Sequence, residues 1–160
     1  IVDLSEGRLI ISPSPTPRHQ RISANLFPLI QNYVRSNSLG EVCYSPLDVR
    51  LWKGNIRHPD IAFMSNKHRK RITNKLWGIP DLVVEIISKG NKKQDRVKKF
   101  EEYQRAGIPE YWIVDPFQQT IEVFTLENGA YVLLGKFGTG ETVNSKLLAG
   151  FKVVVDSVFG

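Results

Sequence analysis

The stretch IPDLVVEIIS, residues 79–88, decides the architecture. From Asp81 to Ser88 it is nearly all apolar and β-branched, too short for a buried helix, and it reads as a central strand covered on both faces. Glu85 then sits inside a sheet, where an unpartnered charge is costly. A buried salt bridge to Arg or Lys would hold it there, and so would a metal ion. Hard cations such as magnesium take one or two carboxylates and complete their shell with water and substrate oxygens.

Downstream, NKKQDRVKKFEEYQRAG (91–107) sets Val97, Phe100 and Tyr103 at threes, with Gly107 where a helix C-terminal cap belongs. EYWIVDP (110–116) returns as an apolar strand. Strand, helix and strand of this length predict a βαβ unit with parallel strands. TIEVFTL (120–126) and YVLLGKF (131–137) predict a hairpin around Asn128-Gly129.

Upstream, residues 18–35 place Ile22, Leu26, Leu29, Ile30, Tyr33 and Val34 at helical spacing. Pro28 lies inside that helix and predicts a kink or a division. EVCYS (41–45), LDVRLW (47–52) and IRHPDIAFM (56–64) follow as short antiparallel strands, with a hairpin break at Gly54-Asn55. The expected fold is α/β, a mixed β-sheet flanked by helices, in a single domain over residues 1–160.

The second Pro-Asp step, at Asp60, raises the question of which aspartate joins Glu85. At ~3.3 Å per residue Asp81 lies ~13 Å along the same strand, too far to share an ion, whereas a neighbouring strand is only ~5 Å away. Asp60 is therefore the better partner. Asp81 is expected to mark the strand mouth, as a turn cap or a supporting group. His58 is expected on one strand face with Asp60. Asp95, Lys99 and Tyr103 stand one helical turn apart and share a face that can look back at the strand ends. The same spacing also suits a plain surface ion pair between Asp95 and Lys99.

The chain has 160 residues, 41% of them hydrophobic, which suits one core. Its one cysteine, Cys43, excludes a disulfide framework and a Cys-x-x-Cys zinc site. No apolar run approaches the roughly 20 residues that span a bilayer, and the first residues do not read as a signal peptide, so the expectation is a cytoplasmic protein with no membrane partner. A net charge of +6 favours an anionic partner such as nucleic acid. Lys67, Arg69, Lys70 and Arg71 crowd one segment and Lys92, Lys93 and Arg96 another, so that basic charge brackets the second Pro-Asp run. Trp77, beside the first cluster, is either core or a base contact. His19, His58 and His68 are too scattered for a recognised zinc pattern.

RHPDIAF (57–63), PDLVVEIIS (80–88), the Asp95–Lys99–Tyr103 helix, GIPEYWIVDP (107–116) and LLAGFKVVV (147–155) together resemble the Uma-type restriction endonucleases of the PD-(D/E)XK nuclease superfamily. The resemblance spans nearly the whole chain. It implies a restriction-endonuclease-like fold, a divalent cofactor (Mg2+ or Mn2+), hydrolysis of DNA phosphodiesters, and dimerisation, since such enzymes often cut as dimers. It implies Asp60 and Glu85 as metal ligands. The superfamily pattern carries a lysine two places after the acidic residue, and here that position is Ile87. Lys99 is expected to take over as the catalytic lysine from the following helix, supported by Asp95 and Tyr103. His19 stands where related nucleases often supply an acidic residue. The alternative is a catalytically silent nucleic-acid-binding or assembly module that keeps the fold.

Overall fold

The chain opens with a hairpin of β1 (Val2–Ser5) and β2 (Arg8–Ile11), turned at Glu6 and Gly7, both at positive φ. The computed structural model describes residues 1–90 and 92–160, with Lys92 and Gln94 given only as helical backbone. Helix α1 (Pro17–Ser36) begins at Thr16, whose side chain accepts the His19 amide at 3.2 Å. Pro28 does not divide it. Ala24, whose carbonyl loses its helical donor, is exposed like Pro28 itself, so water can replace the missing bond. Ile22, Leu26, Ile30 and Val34 hold the opposite, buried face.

Next come β3 (Gly40–Tyr44), β4 (Val49–Trp52), β5 (Asn55–Arg57), β6 (Ile61–Ser65), a 3-10 segment (Asn66–Arg71) and β7 (Leu82–Ile86). Helix α2 (Lys92–Ala106) leads to β8 (Glu110–Asp115), β9 (Thr120–Glu127) and β10 (Ala130–Phe137). The chain closes with β11 (Thr142–Asn144), β12 (Lys152–Val154) and α3 (Val155–Phe159). The main sheet has six strands in the order β10-β9-β8-β7-β6-β3. Its ladders are antiparallel except for β7 and β8, which run parallel across α2 as the βαβ reading requires. All five residues of β7 are buried. Gly107 ends α2 at φ +79°, a left-handed position that suits glycine.

The run 56–64 is not one strand. It breaks at His58-Pro59-Asp60, passing the chain from β5 in a four-stranded sheet (β2-β1-β5-β4) to β6 in the main sheet. Pro59 has no amide with which to continue a ladder. His58 and Asp60 therefore lie outside any strand, contrary to the shared strand face expected for them, and Asp60 enters at the very start of β6.

Helix α1 packs one face of the main sheet, on Ile61, Phe63, Leu82, Val84 and Ile86. On the other face, Tyr103 of α2 and Ile108 pack with Ala62, Met64, Val83, Tyr111 and Ile113. Val97 does not join them and is about half exposed. The face of α2 turned inward carries polar groups instead, Lys99, Glu102 and Tyr103, for reasons that lie in the site. Trp77 is buried in this second core, which removes it as a base contact. No helix among the described residues is long and apolar enough to cross a membrane.

Candidate active site

Strand register brings the two acidic residues together. β6 and β7 pair antiparallel with Ile61 opposite Val84, and one further step sets Asp60 opposite Glu85. The contacts agree with that register: Asp60 Oδ2 accepts the Ile86 amide at 2.7 Å, and Asp60 Oδ1 lies 3.2 Å from His19 Nε2. Helix α1 supplies His19 from its first turn, where the Thr16 cap fixes the backbone. Asp60 and Glu85 line one cavity of about 220 Å³ together with His19, His58, Asp95 and Lys99.

Glu85 is 8% exposed and is held from α2: Tyr103 Oη donates to Oε1 at 2.6 Å, and Lys99 Nζ to Oε2 at 3.1 Å. Lys99 also lies 3.5 Å from Asp95 Oδ2. Burial pushes the Glu85 carboxyl up to about 7, against the pull of Lys99 and with a further push from the charge of Asp60. Burial alone would lower the Lys99 ammonium, but Glu85 and Asp95 outweigh it and raise it above the ordinary lysine value. Burial of His19 is likewise outweighed by its hydrogen bond to Asp60, which raises the imidazole. The site is thus a pair of facing carboxyl groups with the Lys99 ammonium on one side and the His19 imidazole on the other.

This donor set suits a hard divalent cation. Among the described residues no third His, Cys, Asp or Glu completes an all-protein cage. Magnesium needs none, because it keeps several waters and takes one or two carboxylates. Among the described residues each carboxylate oxygen of Asp60 and Glu85 accepts a single hydrogen bond or ion pair, which leaves a lone pair on each.

Several residues stand elsewhere. Asp81 sits at the other end of β7, where it accepts the Ser65 amide at 2.8 Å and holds His68 Nδ1 at 2.7 Å. It caps the start of β7, with three strand residues between it and Glu85. His19 and His58 line the same cavity, each on its own carboxylates, but His68 rests on Asp81 at the other end of β7, so the three do not converge. Lys67, Arg69, Lys70 and Arg71 are exposed on the 3-10 segment at the end of β6 remote from Asp60. Basic charge therefore does not bracket the cavity; Lys89 lines an adjoining pocket that shares Glu85, Asp95 and Lys99 with it, and Lys93 is exposed in the first turn of α2. The side chain of Lys92 lies outside the described residues.

One group escaped sequence reasoning. Arg57 is fully buried on β5, with Nε 2.6 Å from Glu102 and Nη1 3.1 Å from Asp3 and 3.4 Å from Asp95. Ser5 donates to Glu102 at 2.5 Å. The only signal was alternation: Asp3 and Ser5 occupy the inward positions of VDLS, where apolar side chains would be the rule.

The Uma2 family model, described as "Putative restriction endonuclease", matches residues 1–156. The chain belongs to the Uma2 family. A crystal structure of "a putative nuclease belonging to DUF820" from Anabaena variabilis ATCC 29413 superposes with a TM-score of 0.81, at 19% identity. The match covers 99% of this chain and 89% of that one, and at this identity it speaks for the fold. No curated protein matches. Membership in the Uma2 family and the nuclease fold make the chain nuclease-like. Ile87 packs with the α2-side core, and the ammonium beside Glu85 comes from Lys99 of α2.

Proposed function

We propose that this Uma2 protein is a divalent-metal-dependent DNA endonuclease in which Asp60 and Glu85 hold Mg2+ or Mn2+ and Lys99 is the catalytic lysine. The observation that carries the reading is the facing pair Asp60 and Glu85 with Lys99 Nζ 3.1 Å from Glu85. A bound cation of this kind lowers the pKa of its water and offsets phosphate charge.

The protein's own groups do the rest. The Ile86 amide and His19 fix the Asp60 carboxylate, so that its free lone pairs keep one direction. Tyr103 fixes Glu85 in the same way. Lys99 stays protonated because two carboxylates face it, and an ammonium in a water-poor cavity stabilises charge that develops on the non-bridging oxygens of the phosphate. Lys89 and Lys93, outside the cavity, suit the flanking phosphates. The choice of DNA rests on family membership and on the net charge of +6.

The test is incubation of supercoiled plasmid with the purified protein in Mg2+, Mn2+ or EDTA. Metal-dependent nicking is expected. Binding without nicking in either metal would replace the enzyme by the silent nucleic-acid-binding module.

A further inference from the structure

The buried Arg57 cluster lies directly behind the lysine of the site. Asp3 and Ser5 of β1 and Arg57 of β5 point at α2, and α2 answers with Asp95 and Glu102. Asp95 is shared: its Oδ1 lies 3.4 Å from Arg57 Nη1 and its Oδ2 3.5 Å from Lys99 Nζ. Lys99 in turn is closer to Glu85, at 3.1 Å. A chain of alternating charge thus runs from Glu102 and Asp3 through Arg57, Asp95 and Lys99 to Glu85.

We propose that Arg57 is a positioning residue for Lys99: by holding Asp95 from behind, it stops that carboxylate from drawing the ammonium away from Glu85 and out of the cavity. The proposal rests on the reading of Lys99 given above. Asp95 and Lys99 are four residues apart on one helix, a spacing at which an acid and a base pair readily. Among the described residues the group that opposes that pairing is Arg57, from outside α2. Only arginine suits the post. Its planar fork reaches Glu102 through Nε and both Asp3 and Asp95 through Nη1, whereas the point charge of a lysine cannot keep three carboxylates in fixed directions. Among the described residues Nη2 has no hydrogen-bond partner, so the contacts described run through Nε and Nη1.

Arg57→Lys keeps a positive charge among the buried acids but loosens the hold on Asp95. It should lower kcat for plasmid nicking by ~10- to 100-fold, the usual effect of losing a group that orients a functional residue, with KM for DNA unchanged. Adding Asp95→Asn to Arg57→Lys removes the competitor and should restore most of the lost turnover. A merely structural arginine predicts the opposite, since the second change would add damage. Arg57→Gln with Glu102→Gln, which removes one charge of each sign, offers the same comparison if Arg57→Lys does not fold. A readout independent of cleavage is the Lys99 ammonium resonance in 15N-lysine-labelled protein without metal or DNA, assigned through Lys99→Met. It should shift in Arg57→Lys and return on adding Asp95→Asn. Parent-like turnover and an unmoved resonance in Arg57→Lys would overturn the proposal. A moved and restored resonance in a protein that never nicks DNA would leave Arg57 in place and sink the nuclease reading instead.

Discussion

At the scale of single residues, the chemistry depends on which carboxylates keep a counter-charge. Lys99 and its neighbour Lys98 separate the roles: about 100° of helix rotation divides them, so one side chain faces Glu85 and the other does not. A charge that acts mainly in the transition state governs turnover more than binding. Lys99→Met should therefore reduce nicking by ~10²-fold or more with DNA affinity nearly intact. Lys98→Met should change little, and equal rates for the two variants in a nicking assay would remove Lys99 from the mechanism. His58 gives a prediction about pH. Its hydrogen bond to Asp3, against the opposing effect of burial, raises its pKa, with Asp48 adding to the rise. A histidine raised on folding contributes stability that is fully present below its unfolded value of 6.5 and is lost as pH climbs through the folded value. The melting temperature of the parent should exceed that of His58→Gln most at about pH 6, by ~2–4 °C for each ~1 kcal/mol, and the gap should close towards pH 9. A gap that widens with pH would contradict the ion pairs seen here.

Elements show why part of the site was legible and part was not. Strand β7 could be read from its unbroken apolar run, and the spacing of Asp95, Lys99 and Tyr103 identified the face of α2 that meets it. Strand rise alone put Asp60 rather than Asp81 beside Glu85, where the two line one cavity. The Arg57 cluster could not be read, because β1 and β5 are only four and three residues long and their inward positions are polar, against the pattern that marks a buried face. Val97 misled for the same reason: the inward face of α2 serves a charged network, so the apolar residues do not all mark it. Pro28 does not divide α1, since its cost falls on an exposed carbonyl that water can serve. The helix still lacks one hydrogen bond there, so Pro28→Ala should raise the melting temperature, by an amount equivalent to about 1 kcal/mol or more out of the ~3 kcal/mol propensity difference. A lower melting temperature would mean that the proline is favoured by the packing of α1.

On the scale of the whole molecule, positive charge lies at both ends of the central strands, but only one end holds the cavity. Phosphate contacts release counterions, so the slope of log affinity against log salt should fall by ~0.9 for each contact removed. Lys89→Glu with Lys93→Glu should flatten it clearly, and Lys67→Glu with Lys70→Glu less so, because the 3-10 segment lies beyond the remote end of β6. The reverse order in a salt titration would place the DNA across the other end. The nuclease reading depends on whether Asp60 and Glu85 hold a cation together, and calorimetric titration of Mn2+ measures that directly. At pH 8, above the value of about 7 to which burial pushes Glu85, a proton no longer competes for the carboxylate. Asp60→Asn and Glu85→Gln should each weaken binding by at least about tenfold, the scale on which lost ligands are felt, while Asp81→Asn stays close to the parent. An equal loss at Asp81, or an affinity that neither Asp60→Asn nor Glu85→Gln changes, would contradict the account.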